Sequence, residues 1–579
     1  MAAGGDDRSV RYEPEDRPPA LVTAGVGLQA AMTIIAPVAL TVVIVARIAG
    51  QPDSYISWGV VAALLVSGVA TVLQAVRLRR IGSGHVLAMG TSGAFIAVCV
   101  AALEAGGPSL MASLVVVSSL VQFVLAARLS MLRRVFTPVV SGTVVMLIAV
   151  TVAPVLFDTM GDVPDGTGRA AAPVAALVTI VTVAALVLRG SPSVRLWSPV
   201  VGIAVGCAAA APFGIYDTDA VVAAPWVGFP VASWPGFDLS LDADFWALLL
   251  PFVVVTIVGA VETIGDGIAI QQVSRRDPRA TDFRVVQGAL NADGVGNLLS
   301  GIAGTLPNTT YSSSLALAEV TGVAARRVGV VIGGVFIGVA FFPKLSALLI
   351  AIPGPVAAAY VLLLIGMLFV QGMRLVVQDG LNHRKATVVG LSFWLGVGFQ
   401  NRWIFPDVLG DGFVGVLLGN GMTAGTISAV AMVVFMDLTG SRRRRLRVRL
   451  DAAALPRVRE FLGGFASRAQ WSETATERLT SAGEEALAVL LQEDGERSDG
   501  ARRRLAVTAR IEGASAVVEL VTVLEGQNLE DHLAYLSELP PAPDEREVSF
   551  RLLRHYAAAV RHQKYHGVDI VEMTVDRHH

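Results

Sequence analysis

Long, nearly uncharged apolar runs follow one another from Ala20 to Phe435. Each is close to the ~20 residues that a helix needs to cross the hydrocarbon core of a bilayer. The pattern predicts fourteen spans, at 20–46, 55–76, 85–104, 109–127, 135–156, 172–188, 197–213, 245–271, 285–303, 308–322, 327–350, 354–376, 385–402 and 413–437. Segments 85–104 and 308–322 are the least regular, because they are rich in small polar residues that suit a lipid-facing helix poorly. Beyond Leu438 the period changes. Residues 453–465 and 472–491 repeat as helices, 504–511 and 516–524 alternate as strands, 548–560 reads as a helix and 568–575 as a last strand. Four regions are expected: a disordered polar tail at 1–19, a membrane domain at 20–437, a basic linker at 438–449 and an α+β domain at 450–579.

Composition agrees with a membrane protein. The chain is 54% hydrophobic and 16% charged, against about 25% charged in soluble domains. Its formal net charge of −2 gives no sign of a nucleic-acid partner. Lys and Arg cluster at Arg77-Leu78-Arg79-Arg80, at Arg128 with Arg133-Arg134, at Arg275-Arg276 with Arg279 and Arg284, at Arg326-Arg327, at Arg384-Lys385 and at 442–445. The alternate loops, 50–57, 104–109 and 215–244, are poor in them. By the positive-inside rule both termini are cytoplasmic, which requires an even number of spans. The basic run 441–449 reads first as a stop-transfer flank, and more sharply as a contact with anionic lipid. No cleavable signal peptide is expected, because the first apolar run lies too far in and is too long. Cys99 and Cys207 have neither disulfide nor metal-ligand spacing, and no metal site or cofactor is expected.

Candidate chemistry concentrates in Gly259-Ala260-Val261-Glu262-Thr263-Ile264-Gly265-Asp266-Gly267. Two carboxylates at i and i+4 share one helix face within an apolar run. Keeping such a charge there costs roughly 2.5–3.5 kcal/mol, so a functional role is the default reading. Two interrupted segments stand at matching positions of a seven-plus-seven repeat. The third contains Gly90-Thr91-Ser92-Gly93, and the tenth contains Asn308-Thr309-Thr310-Tyr311-Ser312-Ser313-Ser314. Such pairs are the best sequence pointer to a central transporter site. Unwound backbone at membrane depth needs protein or a water-filled cavity around it, and a half-helix N-terminus offers N–H groups to a ligand.

Three stretches carry a family resemblance. Residues 260–266, the pair Asn291-Ala292-Asp293-Gly294 and Pro307-Asn308-Thr309-Thr310-Tyr311, and Ile352-Pro353-Gly354-Pro355-Val356 with Gly366-Met367 resemble motifs of the nucleobase–ascorbate transporters, also called xanthine/uracil permeases. Gly27-Leu28-Gln29 resembles the family's first-helix motif. The resemblance implies an all-α polytopic fold of fourteen helices in two inverted repeats, forming core and gate domains, with short strands in helices three and ten. It implies proton-coupled uptake of a nucleobase through the cell membrane by alternating access. Glu262 would read ring N–H groups and take part in proton coupling with Asp266. Ser92, Gly93, Tyr311, Ser312, Ser313, Ser314 and Gln29 would complete the substrate site. The family's Glu or Gln followed by Asn after Thr-Thr-Tyr is replaced by Ser313 and Ser314, so specificity is open. Another solute or anion on the same fold is the alternative.

The C-terminal region more weakly resembles the histidine-kinase-like ATPase fold of anti-sigma factors. The Mg²⁺-holding asparagine is missing within Ala488-Val489-Leu490. The phosphate loop is reduced to Glu525-Gly526-Gln527, and no glycine-rich loop surrounds Ser549-Phe550. Phosphate cradling needs such close backbone approach, so ATP binding is not expected there. A cytoplasmic protein partner for this domain, a sensor function signalling through it, and a homodimer stand as further expectations.

Overall fold

The computed structural model describes residues 10–127, 137–164, 166–216, 218–228, 234–276, 282–377, 381–405, 418–419, 421–439, 444–495, 504–512, 515–522, 553, 555–565 and 568–577. The expected Arg128, Arg133-Arg134, Arg279 and Arg442-Arg443 clusters, residues 525–527 and 549–550, and most of the start of the segment 413–437 lie outside them. The chain divides into two compact units, residues 1–276 with 285–434, and residues 277–284 with 435–579.

Among the described residues, the first unit is helical over most of the predicted spans. Its helices are α1 (Ala20–Ile48), α2 (Asp53–Val76), α3 (Ile96–Ala127), α4 (Pro138–Gly161), α5 (Ala171–Arg189), α6 (Pro192–Ala210) and the short α7 (Thr218–Ala223). They continue as α8 (Ala243–Val273), α9 (Phe283–Ala303), α10 (Ser313–Thr321), α11 (Arg326–Ala340), α12 (Pro343–Ile350), α13 (Gly354–Val377), α14 (His383–Gln400) and α15 (Gly421–Thr439). Among the described residues, seven helices are long and apolar enough to cross a membrane. Helix starts follow capping chemistry. The Thr137 side chain accepts from the Val140 N–H ahead of Pro138, Asp242 accepts from Phe245, and Asn382 accepts from Lys385.

Small residues set the tightest crossings, as expected where lipid removes the usual hydrophobic drive between helices. A Cβ on Gly142 of α4 would lie 2.6 Å from the Gly372 carbonyl of α13, and one on Gly372 would lie 2.7 Å from the Gly142 carbonyl. Gly68 of α2 and Gly333 of α11 meet in the same reciprocal way, at 2.7 and 2.5 Å. No other side chain permits backbones this close.

Several expectations change. The third and fourth segments are separated within 104–109, as expected, though only by a two-residue break. They join within α3 at a break where Gly106 and Gly107 leave helical geometry, with φ +70° at Gly107 just before Pro108. The short strands expected in the third and tenth segments are present, as β1 (Met89–Thr91) and β2 (Asn308–Thr310). The eleventh is two helices, α11 and α12. Residues 10–17, expected as disordered tail, are held by backbone bonds. Arg11 and Tyr12 N–H groups donate to the Gly322 carbonyl, and Ala324 N–H donates to the Tyr12 carbonyl. Arg276 Nε donates to the Val10 carbonyl at 2.9 Å.

In the second unit, β3 (Arg444–Arg449), β4 (Arg504–Glu512), β5 (Ser515–Thr522), β6 (Ala559–Tyr565) and β7 (Val568–Asp576) form one antiparallel sheet in the order β3-β4-β5-β7-β6. Helices α16 (Ala454–Arg468) and α17 (Glu473–Gly495) bury Val458, Leu462, Leu479 and Leu487 with Val507, Val518 and Val571 of the sheet. Two readings are corrected. Residues 444–449, expected as linker, pair with β4 along their whole length. Within the stretch 548–560 expected as a helix, Ala559 and Val560 instead begin β6, whose register places Tyr565 opposite Val568. Backbone pairing with β7 overrides the helical reading at Ala559 and Val560.

Candidate functional site

Strands β1 and β2 pair antiparallel at the middle of the bundle, with Met89 opposite Thr310, Gly90 opposite Thr309 and Thr91 opposite Asn308. All six residues are buried. Only glycine fits at position 90, since a Cβ there would lie 2.7 Å from both the Tyr311 ring and Val38. Each strand runs directly into a helix start, at Gly93 and at Ser313. The first N–H groups of a helix have no intrahelical acceptor, so two half-helix ends converge on the crossing. Thr91 Oγ1 donates to the Val38 carbonyl of α1 at 2.8 Å, Met89 N–H donates to Thr71 of α2 at 2.9 Å, and Ser92 N–H donates to the Pro307 carbonyl at 2.8 Å. Nonregular backbone at this depth is thereby satisfied by protein.

Helix α8 brings both carboxylates to this crossing in different states. Asp266 is 5% exposed. Its Oδ2 accepts from Thr310 Oγ1 at 2.7 Å and its Oδ1 from Ser312 Oγ at 2.9 Å. Glu262, one turn earlier, keeps accessible surface. The Thr309 hydroxyl is its polar neighbour, without a well-formed hydrogen bond between them. The hydroxyls of Ser92, Thr309 and Ser313 are all buried with no partner among the described residues. A Cβ on Gly93 would meet nothing within 4 Å. The crossing therefore offers one accessible carboxylate, three uncommitted hydroxyls and open space beside Gly93.

The remaining sequence candidates are engaged differently. Tyr311 Oη donates to the Thr91 carbonyl at 2.8 Å, so its ring braces β1. Ser314 Oγ accepts from the Ala88 N–H at 2.8 Å. Ser312 is committed to Asp266. Gln29 has no hydrogen-bond partner among the described residues. It lies nine positions before Val38 on α1, roughly 13 Å along the helix axis, and no contact attaches it to the crossing.

A second polar layer was not foreseen. Asp293 of α9 is 1% exposed. Its Oδ2 accepts from Gln122 Nε2 at 2.7 Å and from Thr263 Oγ1 at 2.9 Å. Asn297 Nδ2 donates to Gln122 Oε1 at 2.9 Å, and Asn297 Oδ1 accepts from the Asn308 N–H at 2.7 Å. Asn308 further engages Ser67 and Ser300. Thr263 and Thr310 lie 3.4 Å apart and join this layer to Asp266. The sequence signal was present, because Thr263 lies between the carboxylates and Asn297 is one turn after Asp293. Gln122 sits in an otherwise apolar run with nothing to mark its partner. Among the described residues no cluster of His, Cys, Asp or Glu could hold a metal ion.

The family model for xanthine/uracil permeases, described as the Permease family, matches residues 22–402. The chain belongs to this family. The permease is 28% identical over 439 residues to the xanthine permease XanP of Escherichia coli, covering 73% of this chain and 93% of XanP. It is 28% identical over 449 residues to the xanthine permease XanQ of the same organism, with the same coverage. It is 26% identical over 386 residues to the nucleobase transporter PlUacP of Paenibacillus larvae, covering 64% and 84% of the two chains. The permease is thus a multi-pass membrane transporter and not an enzyme. The family match ends before β3, so the five-stranded sheet lies outside it.

Proposed function

We propose that the permease is a proton-coupled nucleobase importer of the cell membrane, with both termini cytoplasmic, working by alternating access of the β1–β2 crossing. The observation that carries the reading is the accessible Glu262 carboxylate facing a crossing with three uncommitted hydroxyls. A planar heterocycle with ring N–H donors and carbonyl acceptors matches that set. Glu262 accepts from the ring N–H groups, while Ser92, Thr309 and Ser313 donate to ring carbonyls. Asp266, held by Thr310 and Ser312, is the proton-linked group. The relatives' names support a nucleobase as cargo, and no cofactor beyond the proton gradient is required.

Uptake of labelled uracil, xanthine and uric acid by cells expressing the permease, at several external pH values, tests this. We expect saturable uptake of at least one base that rises with acidity. Glu262→Gln is expected to abolish it, whereas Asp266→Asn retains base binding and flattens the pH dependence. Absence of uptake for every base sinks the substrate class. Uptake indifferent to pH and to Glu262→Gln sinks the mechanism.

A further inference from the structure

The edge of the C-terminal sheet carries a charge arrangement that transport does not use. In β3, Val448 faces the helix layer with Leu446 packed beside it, so Arg445, Arg447 and Arg449 share the opposite face. In β4, Leu505, Val507 and Ala509 face the helices, so Arg504 joins the same opposite face. The register sets Arg449 directly opposite Arg504, Arg447 opposite Ala506 and Arg445 opposite Thr508. All four arginines are exposed. None has an ion-pair partner among the described residues. By the same alternation Arg510 and Glu512 of β4, Glu519 of β5, and Glu572 and Asp576 of β7 fall on that face, with Arg510 and Glu512 beyond the last β3 pair and the others farther from the edge.

Like charges directly opposite across a strand pair are unfavourable, and an anionic counterpart relieves them. The positive-inside rule accounts for arginines that closely follow a membrane helix. It does not account for their alternation onto one face, nor for Arg504, which comes more than fifty residues later and completes that face. Helix α15 ends at Thr439 and β3 begins at Arg444. Five residues span at most about 17 Å, so the start of β3 lies within that reach of the end of α15.

We propose that Arg445, Arg447, Arg449 and Arg504 form a docking face for anionic phospholipid headgroups of the bilayer that holds the permease. Guanidinium forks suit phosphate oxygens. Spacings of about 6.7 Å along β3 let neighbouring arginines take separate headgroups.

The test uses the full-length protein in nanodiscs of phosphatidylcholine alone or mixed with phosphatidylglycerol. An arginine-selective dicarbonyl reagent with mass-spectrometric readout reports each side chain. Labelling of the four arginines is expected to fall about fivefold in anionic discs and to recover in high salt. Arg457, exposed on α16 in the helix layer, is expected to stay unchanged. The double variant R447E/R449E should lose the protection of Arg504 while amide exchange in β4 and β5 stays native. Equal labelling in both discs overturns the proposal, as does full protection of Arg504 in the double variant. Equivalent protection in neutral discs by soluble glycerol 3-phosphate, or by an added oligonucleotide, assigns the face to another ligand and overturns it too.

Discussion

Hydroxyl groups decide the chemistry at the crossing, and their geometry divides them into two kinds. Ser312, Ser314 and Thr310 are committed to fixed partners, while Ser92, Thr309 and Ser313 are not. Loss of a committed group therefore acts on stability. Ser314→Ala leaves the buried Ala88 N–H without an acceptor, at a cost of about 1–3 kcal/mol. A lower thermal midpoint of the detergent-purified protein, with unchanged base affinity at low temperature, is the expected outcome. Gly90→Ala forces a methyl group against the Tyr311 ring and Val38. Overpacking of this kind costs 1–3 kcal/mol, so uptake should fall about tenfold at equal membrane abundance. Gly334→Ala is the matched control, since its Cβ would meet nothing within 4 Å. An equal loss in both variants would show that replacing a glycine in itself, rather than the close approach at 90, is at fault.

At the scale of elements, the site is held by segments distant in sequence. Val10 of the N-terminal strap is buried with Leu87, which precedes β1, with Ile270, one turn beyond Asp266, and with Ala318 of α10. Arg276 fixes that strap through the Val10 and Arg11 carbonyls. Arg276→Ala should accelerate amide exchange at Arg11, Tyr12 and Ala324 without changing exchange in α4 or α13. Exchange–mass spectrometry measures this directly, and unaltered rates at the strap would show that its backbone bonds suffice. The arginine is largely solvent-facing beside Asp16, so the ion pair itself adds little and the two carbonyl bonds carry the effect. The β6 strand makes the complementary point. Its first two residues, Ala559 and Val560, fall at the end of a stretch that reads as helix, yet they pair with β7, and backbone pairing wins over propensity there.

For the whole molecule, the two units answer to different rules. Residues 22–402 follow the permease pattern, and the second unit has its own buried core of Val458, Leu462, Leu479, Val507, Val518 and Val571. Truncation after residue 443 is expected to leave base uptake within about twofold of the full chain at equal abundance. Purified full-length protein is expected to show no Mg²⁺-dependent binding of an ATP analogue at micromolar concentration, because Ala488-Val489-Leu490 offers no metal-binding side chain. The apolar runs and the glycine- and threonine-rich breaks pointed by themselves to a polytopic transporter and to Glu262 as its candidate site residue. Those features act through local periodicity and desolvation, which a linear chain displays. Only the tertiary structure decided which hydroxyls stay uncommitted, that Gln122 and Thr263 hold Asp293, that residues 10–17 form a strap, and that four arginines share one sheet face. Each of these depends on a partner tens to hundreds of residues away, and pairing over such distances leaves no local period to read.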